Sequence, residues 1–223
     1  MRPYAQYCPI AKAAEILGDR WSILILRDML VGTRRFNDLA RGLPGISRTL
    51  LVKRLTHLRA AGLVTRTSDG YLLTEAGLEL RPTVFSMAEW GAKWAFPEPN
   101  AEDLDSDLLV WWMHGQIDQQ SDGPGFRVVV QIEFSEPSSW YWLVLDPDDV
   151  SVCLTDPGFE VDLVMRSSLR AMYMVWMGFR DFPAALRSGE IELSGNEDLV
   201  RRFPAWLRLS PVNPAVRAAK LNA

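Results

Sequence analysis

Along the first hundred positions apolar residues recur at the three-to-four spacing of helices, interrupted by short polar or glycine-bearing stretches. Ile10, Ala13, Ala14 and Leu17 share one face of a helix over residues 11–17, with Gly18 placed to end it. Trp21, Ile23, Leu24, Leu26, Met29 and Leu30 crowd residues 21–30 so densely that the spacing predicts a central, buried helix. A short helix over 36–43 follows, Pro44-Gly45 forces a turn, and Ser47 can cap a longer helix that runs to about Ala61 before Gly62 stops it. The period then changes. Two short β-rich runs, 63–67 and 71–74, flank Ser68-Asp69-Gly70, the pattern of a tight hairpin. Thr74 can cap a further helix, interrupted at Pro82 and resuming through Val84, Phe85, Met87, Ala88, Trp90 and Trp94.

From Phe96 to Asp103 the periodicity disappears. Two prolines and several acidic residues predict a solvated linker over 97–104, dividing a domain of residues 1–96 from one of residues 105–223. Beyond it, residues 104–117 read as an amphipathic helix. Four β-type runs follow, at 126–134, 139–145, 150–154 and 161–165. In the first, Phe126, Val128, Val130, Ile132 and Phe134 alternate with Arg127, Gln131 and Glu133, as in a strand with one buried face. Helices around 169–177 and 183–186, a fifth strand at 191–193 and a helix over 198–207 complete the pattern. The fold class expected is two domains: a mainly α winged helix-turn-helix, then an α+β domain with a mostly antiparallel sheet and clustered helices.

Composition narrows the function. The chain has 223 residues, 48% hydrophobic and 23% charged, enough apolar mass for two small globular cores. The longest apolar runs, such as 108–113, are too short to span a bilayer, and the N-terminus carries no apolar secretory segment, so no membrane partner is expected. Cys8 and Cys153 are the two cysteines and lie far apart, which argues against a disulfide framework and for a cytoplasmic protein. The net charge of −4 conceals an asymmetry. Residues 1–96 hold 14 Lys+Arg against 8 Asp+Glu, and the remainder 10 against 20. Only the first half is suited to a polyanion.

The helix after Ser47 has the two faces that major-groove reading demands. Leu51, Leu55 and Leu58 form an apolar stripe; Arg48, Thr49, Lys53 and Thr56 lie opposite. Arg48 can pair bidentately with guanine and Thr49 can meet a base edge, whereas Lys53 or Arg54 suits phosphate. Arg34, Arg35 and Arg66 flank the helix at positions fit for further phosphate contacts. Spacing of this kind also occurs on ordinary surface helices; the five-element order with its Asp-Gly turn is what distinguishes it.

Several segments together resemble the HxlR-type winged-helix regulators over residues 8–96. They are Cys8-Pro9-Ile10, the run Gly18-Asp19-Arg20-Trp21 through Leu30, Arg35-Phe36-Asn37-Asp38-Leu39, Leu43-Pro44-Gly45-Ile46-Ser47, Gly62-Leu63-Val64 and Leu73-Thr74-Glu75-Ala76-Gly77. The resemblance implies a homodimer on double-stranded DNA with an inverted-repeat operator, and outer helices at the interface, here 11–17 and 84–94 with Phe85, Trp90 and Trp94. The wing departs from the family pattern, which is longer, proline-rich at its tip and more basic; Ser68-Asp69-Gly70 is a bare turn with an acidic tip. Only Arg66 is therefore assigned a wing contact.

Residues 178–196, where a helix ending in Ser188-Gly189 leads into a strand ending in Gly195-Asn196, resemble the C-terminal part of sterol carrier protein type two-like domains; the likeness covers roughly 126–208. It implies an apolar cavity between sheet and helices. Trp140, Trp142, Met172, Tyr173, Trp176, Met177 and Phe179 are the candidate ligand contacts, large and adaptable side chains that also suit an ordinary core. Two alternatives stand beside a ligand-modulated regulator. Cys8 occupies the place where some family members carry a reactive cysteine, and Arg2 and Lys12 can supply the positive charge that a thiolate needs. A lipid carrier or interaction protein that merely retains a winged helix is the other. No cofactor, metal site or enzymatic activity is expected: His57 and His114 are the only histidines, and no phosphate loop or zinc spacing occurs.

Overall fold

The computed structural model describes residues 4–118, 126–147 and 149–221. The chain divides into two compact units between Met87 and Ala88. The first begins with α1 (Pro9–Leu17), α2 (Ser22–Leu30), α3 (Phe36–Gly42) and α4 (Arg48–Ala60). A hairpin of β1 (Val64–Thr67) and β2 (Gly70–Leu73), then α5 (Glu75–Leu78), follow, and α6 (Arg81–Trp94) begins in the first unit and ends in the second.

Each element has a local cause. Trp21, in a left-handed conformation at φ 82°, turns the chain into α2; a bulky residue held there costs about 1–3 kcal/mol. Burial of the indole against the core of this unit holds it there. Ser47 accepts a hydrogen bond from Leu50 N at 3.2 Å and caps α4, a contribution of about 1 kcal/mol. Leu51, Leu55 and Leu58 are buried on Ile25, Leu26, Leu39 and Leu43. The hairpin pairs Val64 with Leu73 and Thr67 with Gly70. Tyr71 N also donates to Arg34 O at 2.9 Å, and a Cβ at Gly70 would lie 2.5 Å from that same oxygen, so glycine is required where the hairpin meets the chain before α3. The expected interruption at Pro82 is instead the start of α6: proline sits in the first turn, where its missing N–H costs nothing.

In the second unit a turn at Ala101–Asp103 precedes α7 (Ser106–His114), β3 (Val128–Ser135), β4 (Ser138–Asp146), β5 (Asp149–Cys153) and β6 (Leu163–Ser167). The chain continues through α8 (Leu169–Met177), α9 (Phe182–Ser188), β7 (Ile191–Gly195), α10 (Glu197–Trp206) and α11 (Asn213–Leu221). The five strands lie in the order β5-β4-β3-β6-β7. The sheet is mixed, which corrects the expectation of a mostly antiparallel one: β3 and β6 run parallel at its centre, Val130 beside Leu163 and Phe134 beside Ser167. After β5 the chain crosses back before pairing, and the alternation of side chains is the same for either strand direction.

Val128, Val130, Ile132, Phe134, Tyr141, Leu143, Leu163 and Met165 form one face of the sheet, buried against Leu109, Val110 and Met113 of α7, Met172 and Trp176 of α8, and Phe203 and Trp206 of α10. Burial pushes the Tyr173 hydroxyl up to about 12. The Tyr141 hydroxyl donates to Asp107 Oδ1 at 2.6 Å and joins α7 to the sheet. Among the described residues no helix is long and apolar enough to cross a membrane.

Candidate nucleic-acid interface

The apolar stripe of α4 fixes which residues are left outside. Arg48, Thr49, Lys53 and Thr56 are exposed on one face, as is Ser47 at the cap. Val52, 50% exposed, lies among them. It escaped the sequence reading because it is apolar, yet it stands four positions from Arg48 and three from Thr49, on the same face, and an isopropyl group suits a thymine methyl. Arg34 and Arg35, before α3, and Arg66, on β1, are exposed as well. Arg66 lies over the Tyr71 ring at 5.9 Å.

Arg48 is already oriented. Its Nη2 donates to Asn37 Oδ1 at 2.7 Å, and the guanidinium lies 4.9 Å from the Phe36 ring centroid. Two contacts from α3 hold the fork above the surface, which reduces the side-chain entropy lost when the remaining donors meet a base. Asn37, also exposed, is a second polar group that the sequence did not single out.

Arg54 is placed differently from its neighbours. It is half-buried and forms an ion pair with Asp19, tying α4 to the turn before α2. A phosphate contact would have to break this shielded pair. His57 likewise faces inward, with Nε2 3.3 Å from Ile16 O. The carboxyl of Asp28 on α2 is pushed up by burial, against the opposing pull of Arg27 at 2.7 Å. At the tip of the hairpin Asp69 accepts from Ser68 Oγ at 3.0 Å and keeps the wing end acidic.

The candidate dimerisation residues lie on α6. Phe85 is half-buried beneath the Arg81 guanidinium, whereas Trp90 and Trp94 remain 64% and 67% exposed. Ile10 on α1 and Tyr7, two residues before that helix, are exposed too. Cys8 is half-buried and occupies the N-cap position of α1. Of the cations expected beside it, Lys12 is paired with Glu15 at 3.0 Å, and Arg2 lies outside the described residues.

The candidate ligand contacts of the second unit fall into three groups. Met172, Tyr173 and Trp176 point into the core on the helix side of the sheet. Trp140 and Trp142 lie on the other face, where Trp142 Nε1 donates to Gln131 Oε1 at 3.2 Å. Met177 and Phe179 are half-buried at the end of α8. The sheet therefore separates the two tryptophans of β4 from α8. An open cavity of about 430 Å³ lies at the ends of β3, β4 and β6, lined by Trp140, Glu133, Arg166, Ser167, Glu190 and Glu192 among others. Three of its four charged side chains are already paired: Arg166 holds Glu133 at 2.6 Å, and Glu190 is paired with Arg180, which lies outside the lining. Among the described residues no group of three or more His, Cys, Asp or Glu side chains could hold a metal ion.

Residues 16–99 match the family model described as HxlR-like helix-turn-helix. A protein of Mycobacterium tuberculosis named as an uncharacterized HTH-type transcriptional regulator is 41% identical over 140 residues, covering 53% of this chain and 87% of its own. A regulator of the same description from Synechocystis is 35% identical over 94 residues, covering 39% of this chain and 70% of its own. Among solved structures, quinone-bound YodB from B. subtilis is 32% identical with a TM-score of 0.37, covering 39% of this chain and 99% of its own.

Proposed function

Because the chain belongs to the HxlR-like helix-turn-helix transcriptional regulators, we propose that it acts as a cytoplasmic homodimer that reads an inverted-repeat operator and that its second domain tunes this binding. The first domain, residues 1–96, reads DNA and dimerises; residues 97–104 connect it to a sensing domain of residues 105–223. The observation that carries the reading is the exposed face of α4, where Arg48, Thr49, Val52, Lys53 and Thr56 are set opposite a buried leucine stripe. Base edges are met by Arg48, Thr49 and Val52. Phosphates are met by Lys53, Arg34, Arg35 and Arg66, which position the helix without specifying sequence. Phe85, Trp90 and Trp94 form the contact between protomers, since a two-fold operator requires a two-fold protein.

A small apolar molecule in the second domain shifts the operator-binding equilibrium by preferring one arrangement of the dimer. Support comes from the resemblance of residues 126–208 to sterol carrier protein type two-like domains and from the methionine and aromatic side chains concentrated on α8. A second reading, thiol redox sensing through Cys8, draws on its being a free, partly exposed cysteine at the N-cap of α1.

Fluorescence anisotropy on DNA from upstream of the protein's own gene, with shuffled DNA as control, tests the main reading. Tight binding that prefers the upstream duplex and weakens steeply with salt is expected; equal and weak binding to both duplexes counts against it. On a defined operator, Arg48→Ala is expected to cost about 1–3 kcal/mol and to relax preference at one base pair per half-site. Specificity that survives intact would remove Arg48 from base reading.

A further inference from the structure

The segment after α6 carries prolines and acids and lies exposed at all but Pro99, and it is fastened along α8. Phe96 stacks on Phe179, just beyond the C-terminal end of α8, with ring centroids 5.5 Å apart at 28°. Lys220 of α11 lies 5.1 Å from the centroid of that Phe179 ring. At the other end of α8, Arg170 donates to Pro99 O and is paired with Glu98 at 3.1 Å. The lengths agree. A helix of nine residues is about 13 Å long, and the three steps from Phe96 to Pro99 span about 10 Å when extended. Pro97 and Pro99 favour that extended conformation before any contact forms. Asn100 N then donates to Asp103 Oδ2 at 2.8 Å and closes the segment with a turn.

What the segment holds is the last turn of α6. Ala95 N donates to Gly91 O at 2.9 Å as that helix ends, and Phe96 is the next residue. Gly91 has open space around its Cβ position, so no packing at that point explains the glycine, and a glycine inside a helix weakens it. The turn therefore combines low intrinsic helix stability, two exposed tryptophans, Trp90 and Trp94, and an anchor immediately after it. Both ends of α8 hold that anchor, and α8 is itself tied to α11 through Asn213 Nδ2, which donates to Val175 O at 3.0 Å and Trp176 O at 3.1 Å.

We propose that residues 96–103 form a regulatory strap through which α8 sets the order of the last turn of α6. A molecule or modification that shifts α8 loosens the strap and frees the turn carrying Trp90 and Trp94. The consequence for assembly rests on the proposed dimer reading; the grip of α8 on α6 does not.

Hydrogen exchange followed by mass spectrometry on the full chain separates the two. Phe96→Ala and Arg170→Ala each remove one fastening, and Arg201→Ala, which breaks an exposed pair on α10, serves as the control. Amides at 92–96 are expected to exchange roughly threefold to tenfold faster in the two strap variants. The control should match the parent protein, and the amides of β3 and β6 should be unchanged in all three. Unchanged exchange at 92–96 in both strap variants, or equal acceleration in the control, overturns the proposal. Sedimentation of the same samples reads the dimer separately. A parent protein that is monomeric sinks the dimer reading while the exchange result still decides the strap.

Discussion

Changing Trp90 and Trp94 together to aspartate is expected to yield a monomer and to weaken operator binding by about 100-fold or more. The two indoles are 64% and 67% exposed in the isolated chain, so their replacement leaves its fold and far-ultraviolet circular dichroism intact. At a protomer contact the same positions would bury carboxylates without partners, an arrangement that a small interface cannot tolerate. The loss in DNA affinity follows from geometry. In a dimer the second reading helix binds as an intramolecular event, an advantage on the order of 100-fold to 10,000-fold that a monomer forfeits. Sedimentation velocity and anisotropy on one operator at matched salt read both effects. A double variant that still sediments as a dimer and binds unchanged would remove α6 from the interface.

Leu55→Ala should carry the largest cost in stability, about 2–5 kcal/mol. Leu55 is 1% exposed at the middle of the stripe by which α4 packs on its unit, with Leu51 and Leu58 on either side. Lys53→Ala, on the opposite face, should stay within about 0.5 kcal/mol while weakening DNA binding at low salt. Urea unfolding followed through the first unit separates the pair, since two units need not unfold in one step. Comparable destabilisation by both substitutions would contradict a helix with one buried and one reading face.

Much of the reading helix was legible from periodicity. The cap at Ser47, the stripe of Leu51, Leu55 and Leu58, and the exposed Arg48, Thr49, Lys53 and Thr56 all follow from 3.6-residue spacing and one side-chain hydrogen bond. What spacing could not reveal is pairing across distance. Arg54 sits at the margin of the stripe, and only the return of Asp19, 35 positions earlier, decides that it faces inward. Val52 was passed over because an apolar residue on a reading face looks like core from the sequence alone.

The second unit shows the same limit at larger scale. Strand alternation identified β3 and β4 but is blind to direction, so the parallel pairing of β3 with β6 was not visible. Trp140 and Met172 share a composition that suggests one cavity, yet strand register puts the first on the face away from α8. α11 was missed because Pro211 and Pro214 conceal its start. The prolines and acids of residues 96–103 read correctly as non-helical, but their fastening depends on Phe179 and Arg170, more than seventy positions away.

The most direct test of DNA reading is selection of bound duplexes from a random-sequence library by the full-length protein at physiological salt, followed by sequencing. Enrichment of an inverted repeat is expected, with half-site centres one helical turn, about 10 base pairs, or a multiple of it apart. One half-site position should lose its preference when Arg48→Ala replaces the parent protein. A bound pool no different from the input library would contradict a protein whose α4 reads bases.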